Sequence, residues 1–256
     1  MIYRYESLDS TNEEAKRMVA AADGGAPFGA VVIARRQTAG KGRRGRAFFS
    51  PEGDSLYASF VLPPGSHEFA TVAAAVAVCR AIEAVRPGAG PRVKWVNDVM
   101  VDGRKVCGIL AEGVGGADGL AAVVLGIGVN IGLREADFPP ELRGVAGALD
   151  FSPAERDAFE DALIREVFSI GGCGEEAAQS AEGQAGLDRM AVLEAYRGLS
   201  ALNAGDPVAV FRAGTDEATA ATVVGIADDG GLAVCYSDGR REVLRSGEVS
   251  VRAKIV

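Results

Sequence analysis

Six cationic side chains crowd one short stretch of this sequence: Arg35, Arg36, Lys41, Arg43, Arg44 and Arg46, with Gly40, Gly42 and Gly45 among them and no acid between residues 35 and 51. Glycines let a backbone approach a bound group closely, and flanking cations supply charge for phosphate or carboxylate. The stretch is not a Walker A loop, which needs GxxxxGK[ST]. Its GxGxxG spacing is followed too soon by Pro51 and Gly53 to open the long helix of a dinucleotide fingerprint. Composition alone leaves two readings open, a solvated basic loop and an anion-binding loop.

A second group is Lys94-Trp95-Val96-Asn97-Asp98, followed by Lys105-Val106-Cys107-Gly108-Ile109-Leu110. If 105–110 is a strand, alternation predicts Lys105, Cys107 and Ile109 on one face and Val106, Gly108 and Leu110 on the other. A lysine at a strand start can reach a ligand carboxylate or simply stand in water. A third group is Gly126-Ile127-Gly128-Val129-Asn130. Glycines inside a strand mark close approach of a ligand or of a bulky neighbour. Trp95 and Cys107 read as core residues, and His67, in a Pro-Gly-Ser context, as a solvated one.

The elements that must position these groups follow from periodicity and punctuation. Ser10-Thr11-Asn12-Glu13 fits a capping box opening a helix over 11–22, stopped by Gly24-Gly25. Residues 30–34 and 55–62 read as strands, and 68–85, rich in Ala and Val, as a buried helix. Runs at 92–95 and 97–101 lead through Asp102-Gly103, a hairpin signal, into 105–112, and a further strand spans 120–131. Helices are expected over 153–170 and 186–199, with a loop or linker at 171–186 between them. From Asn203 the texture changes to five short β runs, at 207–212, 218–226, 232–236, 240–244 and 249–255, which suggest a small barrel beyond a boundary near residue 202.

A chain of 256 residues is long enough to bury a core without disulfide or metal staples. Its net charge of −8 is a poor footprint for a dedicated nucleic-acid binder and hides the basic stretch, outside which the chain nets −14. Residues 135–194 are the acidic counterweight, with fourteen acids against four bases, and read as solvated helices and linker. Cys79, Cys107, Cys173 and Cys235 form no CxxC pair and His67 is the sole histidine, which disfavours a structural zinc site and a His-dependent triad. The absence of a signal-like start and of a bilayer-length apolar run makes a reduced cytoplasmic protein, away from membranes, the expectation.

The order of these motifs is more specific than any one of them. Ser10-Thr11-Asn12, QTAGKGRRGR from Gln37, SLYAS, KWVND, a DGRK hairpin into KVCGIL and Glu112, GIGVN, and Gly247-Glu248-Val249-Ser250 in the small β region follow one another. Over residues 3–252 this sequence closely resembles the biotin protein ligases. The resemblance implies an α/β catalytic domain with a mixed sheet, residues 1–202, shared with lipoate ligases, and an SH3-like C-terminal domain, residues 203–256. Because the STN motif begins at residue 10, the chain resembles the enzyme-only type, with no DNA-binding domain in front. The implied reaction joins biotin and ATP to biotinyl-5′-AMP and pyrophosphate, then passes the acyl group to one lysine of a biotin carboxyl carrier protein or domain. A homodimer is compatible with the sequence.

By motif, the resemblance implies that Ser10, Thr11, Asn12 and Gln37 meet the ureido ring, that Gly126 and Gly128 pack against it, and that the backbone at Lys41, Gly42 and Arg43 closes over the ligand. Arg43 and Lys105 would be the catalytic cations, on the carboxylate and the α-phosphate. Arg44, Arg46, Phe48, Asn97 and Asn130 would lie by the nucleotide, and Asp98 would be a ligand of Mg²⁺. The electrostatic logic stands on its own: attack of one anion on another needs positive charge aimed at the developing pentacovalent phosphate. The sequence departs from the family pattern at Lys41, where arginine is usual, at Val96, where proline is usual, and at Phe48, where tryptophan is common. A lipoate-type ligase of the same fold is the nearest alternative. A non-enzymatic nucleic-acid binder is the alternative from another class.

The glycine content predicts a 40–45 loop that lacks order without ligand and folds over the adenylate, shielding a reactive anhydride from water. Hydrogen exchange at these amides is expected to slow when biotin and MgATP are added; unchanged exchange would remove the loop from the reaction.

Overall fold

A computed structural model describes residues 1–22, 26–51, 55–66, 69–116, 119–171, 189–212, 217–245 and 249–253. The expected helix stop at Gly24-Gly25, His67, Cys173, most of the 171–186 linker and the end of the 249–255 run lie outside the described residues.

Strand β1 (Ile2–Leu8) runs into helix α1 (Thr11–Ala20), which crosses back to β2 (Val31–Gln37), parallel to β1 with Leu8 opposite Gln37. Then come β3 (Ser55–Leu62), α2 (Ala70–Val85), β4 (Arg92–Lys94), β5 (Asp98–Val101), β6 (Arg104–Gly116) and β7 (Gly119–Asn130). The strands form one seven-stranded sheet in the order β1-β2-β3-β7-β6-β5-β4, antiparallel except at the first pair. The mixed α/β sheet expected of the first 202 residues is therefore present.

Alternation sorts the two faces of this sheet. Leu56, Ala58, Phe60 and Leu62 of β3 and Val123, Leu125, Ile127 and Val129 of β7 join α2 and α3 (Pro153–Gly171) in the main core. Their sequence neighbours Val61, Ala122 and Val124 face the other way, under Ala15 and Val19 of α1. Helix α1 covers only part of that second face. Where it begins, the sheet carries Tyr57, Ser59, Gly126, Gly128 and Asn130 in place of apolar side chains.

Helix α4 (Arg189–Leu199) leads to β8 (Pro207–Arg212), β9 (Ala218–Ile226), β10 (Leu232–Tyr236), β11 (Arg241–Leu244) and β12 (Val249–Ala253). These make a small antiparallel sheet in the order β11-β10-β9-β8-β12, open among the described residues rather than closed into a barrel. The Trp95 indole N–H donates to Gly230 O at 3.1 Å, tying the two sheets together. The described residues contain no helix long and apolar enough to cross a membrane.

The capping box expected at Ser10 does not form. Ser10 makes no side-chain cap bond, and its backbone N–H donates to Asp9 Oδ1 at 2.7 Å. Glu13 is instead drawn away by two ammonium groups, Lys41 at 2.8 Å and Lys16 at 3.0 Å. The reciprocal motif forms at α3, where Ser152 N–H donates to Glu155 Oε2 at 2.8 Å and Glu155 N–H donates to Ser152 Oγ at 3.3 Å. The Ser152 backbone N–H, then Arg86 and the Ser152 hydroxyl, hold the Glu155 carboxyl down to about 2. A carboxyl whose folded value is depressed contributes stability above its unfolded value of 4.5 and loses it as pH falls toward 2. In melts followed by circular dichroism, Glu155→Gln is therefore expected to lose less Tm across this acid window than the parent chain. Parallel curves would show that this carboxylate is not linked to folding.

Candidate functional site

The β1–α1–β2 crossover sets the first turn of α1 beside the C-terminal end of β2. Ser10, Thr11 and Asn12 are buried there, with only 2–4% of each exposed. Gln37 Oε1 accepts from the Thr11 backbone N–H at 2.8 Å and from Thr11 Oγ1 at 3.1 Å, satisfying one of the donors a helix start leaves open. Gln37 Nε2 donates to Ser50 Oγ at 3.1 Å. The buried Ser59 hydroxyl lies 2.8 Å from Thr11 Oγ1 and donates to Asn12 Oδ1 at 2.6 Å. Amide and hydroxyl groups thus line one end of a cavity in an orderly ladder.

The floor of the cavity is bare backbone. A Cβ at Gly126 would collide with Asn12 Oδ1 and stand 2.9 Å from its Cγ. Cβ atoms at Gly128 and Gly108 would come within 2.7 and 2.8 Å of the Phe48 ring. The expected close approach at both β7 glycines is therefore real, toward Asn12 in one case and Phe48 in the other. Phe48 lies across β6 and β7 with two glycines beneath it, and the space left is about 60 Å³, lined by Ser10, Thr11, Asn12, Gln37 and the glycine floor with Lys41, Gly42, Arg43 and Lys105.

Lys105 reaches this cavity by a route that strict alternation misses. In the β5–β6 ladder Val99 faces Cys107 while Met100 faces Lys105, so Val106 is an extra residue, a β-bulge. Val106 and Cys107 both enter the main core, and Lys105 turns onto the face of Gly108. The expectation that Lys105 shares a face with Cys107 and Ile109 is thereby corrected. Its Nζ meets Asp98 Oδ1 at 2.6 Å and stands 5.9 Å from the Phe48 ring centroid.

The basic stretch forms a strap over the cavity. Lys41 bridges Ala47, Gly42 N–H donates to Arg46 O at 2.8 Å, and Arg43–Gly45 is a single 3-10 turn. Arg43 Nη1 donates to Asn97 Oδ1 at 2.7 Å, and Asn97 Nδ2 donates to Ile109 O at 3.0 Å. Arg46 is exposed, and the Arg44 side chain lies outside the described residues. Lys41 and Lys16 hold the Glu13 carboxyl below its usual range, so the strap's first cation is anchored to α1. Phe49 points away from Phe48, packing 5.9 Å from the Phe138 ring beside Leu133 and Ala146. Asn130 lies off the cavity lining, its Nδ2 donating to Gly147 O at 2.9 Å.

Burial pushes the Cys79 thiol up to about 12 and Cys107 higher still, leaving both protonated and inert. No group of three or more His, Cys, Asp or Glu side chains that could hold a metal is found among the described residues. Asp98 offers one carboxylate, which suits Mg²⁺ only together with substrate phosphate oxygens. Tyr57, Ser59, Gly108 and Glu112 stand in the sequence motifs but were given no role by sequence reasoning. The first two stand two residues apart on β3 and could have been found from its alternation, whereas Gly108 was noted without a role.

Taken as a fold, this arrangement is shared with solved ligases. A biotin protein ligase from Aquifex aeolicus, in complex with biotin and ATP, superposes with a TM-score of 0.73 at 23% identity, covering 99% of each chain. Residues 7–130 match the Biotin/lipoate A/B protein ligase family. A bifunctional ligase/repressor BirA from Bacillus spizizenii is 36% identical over 160 residues, 61% of this chain and 48% of its own length. A biotin--[acetyl-CoA-carboxylase] ligase from Paracoccus denitrificans is 39% identical over 127 residues, 48% of this chain and 51% of its own. The chain thus spans about half the length of these curated relatives.

The bare floor makes a direct test. Gly126→Ala must push the Asn12 carboxamide aside and is expected to cost about 1–3 kcal/mol in urea unfolding. Gly115→Ala, with nothing within 4 Å of the added methyl, is expected to stay within about 0.5 kcal/mol of the parent. Equal costs at the two positions would remove close packing as the reason for Gly126.

Proposed function

We propose that this chain is an ATP-dependent biotin protein ligase, making biotinyl-5′-AMP and passing biotin to a lysine of a carboxylase's carrier domain. The observation that carries the reading is one cavity with a neutral hydrogen-bonding ladder at one end and Arg43 and Lys105 at the other. A ureido ring is flat, polar and uncharged. It needs paired donors and acceptors, which Ser10, Thr11, Asn12 and Gln37 offer, in a slot thin enough for a ring, which Gly126 and Gly128 provide.

In the first step a carboxylate oxygen of biotin attacks the α-phosphorus of ATP and pyrophosphate leaves. Two anions meet, so the barrier falls only where fixed positive charge faces the developing oxyanion. Arg43, on the strap, and Lys105, turned inward by its bulge, supply that charge. Lys105 is paired with Asp98 and Arg43 is bonded to Asn97, so both cations are held in place before substrate arrives. Mg²⁺ neutralises phosphate charge when bound, with Asp98 as its protein carboxylate. Phe48 offers an aromatic face for the nucleotide once it leaves the glycine floor, with Arg44, Arg46, Asn97 and Asn130 beside it. In the second step the carrier lysine's amine attacks the acyl carbon and AMP leaves. The strap's backbone, at Lys41 and Gly42, keeps water from the anhydride in the interval.

The small sheet from residue 203 fits the SH3-like second domain of such ligases, with the catalytic domain before it. The reading sets the reaction in the cytoplasm, which the free thiols of Cys79, Cys107 and Cys235 suit.

Incubation of this protein with biotin, MgATP and a biotin carrier domain is expected to add one biotinyl group to the carrier by mass spectrometry. Arg43→Ala and Lys105→Ala are each expected to slow that transfer about 100-fold or more. Transfer of lipoate in preference to biotin, or no pyrophosphate release with biotin and ATP, would overturn the reading.

A further inference from the structure

One charged side chain at the polar end of the cavity has no part in the chemistry above. Glu112, on β6, accepts from Asn12 Nδ2 at 2.7 Å through Oε2 and from Lys16 Nζ at 2.7 Å through Oε1. Lys16 is itself clamped from the other side by Glu13, at 3.0 Å. Burial alone would lower the Lys16 pKa, but its hydrogen bonds to Glu112 and Glu13 raise it instead, so the ammonium stays charged. The carboxylate is therefore fixed at both oxygens.

A carboxamide has a donor end and an acceptor end, and a carboxylate can only accept. Glu112 thus dictates which way the Asn12 amide points. The Leu110 carbonyl, 3.5 Å from Nδ2, is a second acceptor on the same side. With its NH₂ directed at Glu112, Asn12 presents Oδ1 to Ser59 and to the bare floor at Gly126. A carbonyl oxygen has two lone pairs. The Ser59 hydroxyl takes one, and the other remains for a group in the cavity that Asn12 lines.

We infer that Glu112 is a specificity-positioning residue. By fixing the Asn12 carboxamide it makes this point of the cavity an acceptor, so that the site selects a ligand carrying an N–H there and rejects one carrying an oxygen. The inference rests on the ligase reading to the extent that the N–H is one of the two in the ureido ring of biotin. Sites built to hydrogen-bond a particular group reject analogues lacking it strongly, because a buried partner is then left unpaired.

The test uses the full chain and two cyclic-carbamate analogues of biotin, in each of which one ureido N–H is replaced by a ring oxygen, without added bulk. By calorimetry the parent is expected to prefer biotin over one of the two by about 100-fold or more. Glu112→Leu frees the amide to turn its NH₂ toward the carbamate oxygen, and the preference is expected to fall below about tenfold. Glu112→Gln keeps an acceptor oxygen for Asn12 and is expected to restore most of it. Lys16→Met, which releases the carboxylate without removing it, gives a smaller shift of the same sign and serves if Glu112→Leu does not fold. A residue that merely held α1 in place would weaken biotin and both analogues equally, and that result would overturn the inference. The Asn12 side-chain amide protons give a readout independent of ligand: protected from exchange in the parent and in Glu112→Gln, and unprotected in Glu112→Leu. Failure of the parent to bind biotin would sink the ligase reading, whereas amide protection that survives Glu112→Leu would sink this inference alone.

Discussion

Closure of the β1–α1–β2 crossover, where the Thr11 backbone N–H finds its acceptor in Gln37 Oε1 at 2.8 Å, is the constraint on which the cavity depends. Parallel strands need a crossover, and here that crossover is a short helix whose first turn must lie against the sheet. The first turn of any helix leaves backbone donors open. At this end they are met by a side chain from the neighbouring strand, and the side chains of the turn itself, Thr11 and Asn12, are left to face Ser59 and the glycine floor. Polarity at the site is thus a by-product of how the crossover is closed. The same contact lets Gln37 hold the strap through Ser50, so the wall and the cover share one residue.

Charge is arranged in two tiers. Near the ladder, Glu13 and Glu112 are each matched by ammonium groups, so a neutral ring entering there meets no uncompensated charge. Toward the far end, Arg43 donates to the Asn97 amide, while Lys105 is paired with Asp98.

Much of this was legible in the residues, and the part that was not has definite causes. The β3 strand at 55–62 and the Asp102-Gly103 hairpin follow from local pattern, because alternation and turn chemistry act over a few residues. The Ser10–Glu13 signal misled because long-range ion pairs outcompeted a local one: the sequence holds the partners of Glu13, Lys41 above all, but not their proximity. Ser59 and Glu112 were silent for a related reason. Each is ordinary in its strand and gains meaning only when Asn12 is brought across from a helix 47 and 100 positions away. The five-strand texture after residue 203 was legible, but its open order β11-β10-β9-β8-β12 was not, since strand order depends on which edges meet.

The bulge at Val106 gives the site an arithmetic of its own. Along a regular strand, the face a residue occupies is the parity of its distance from a fixed partner, and here the fixed partner is Gly108, opposite Asp98. Lys105 lies an odd number of positions from Gly108 yet shares its face, because Val106 is counted in the chain but not in the ladder. Which face the lysine takes is therefore set by the number of residues between Lys105 and Gly108. Loss of one residue in that interval would turn the lysine toward the core. The chain length between Lys105 and Gly108 is as much a part of the site as the lysine itself.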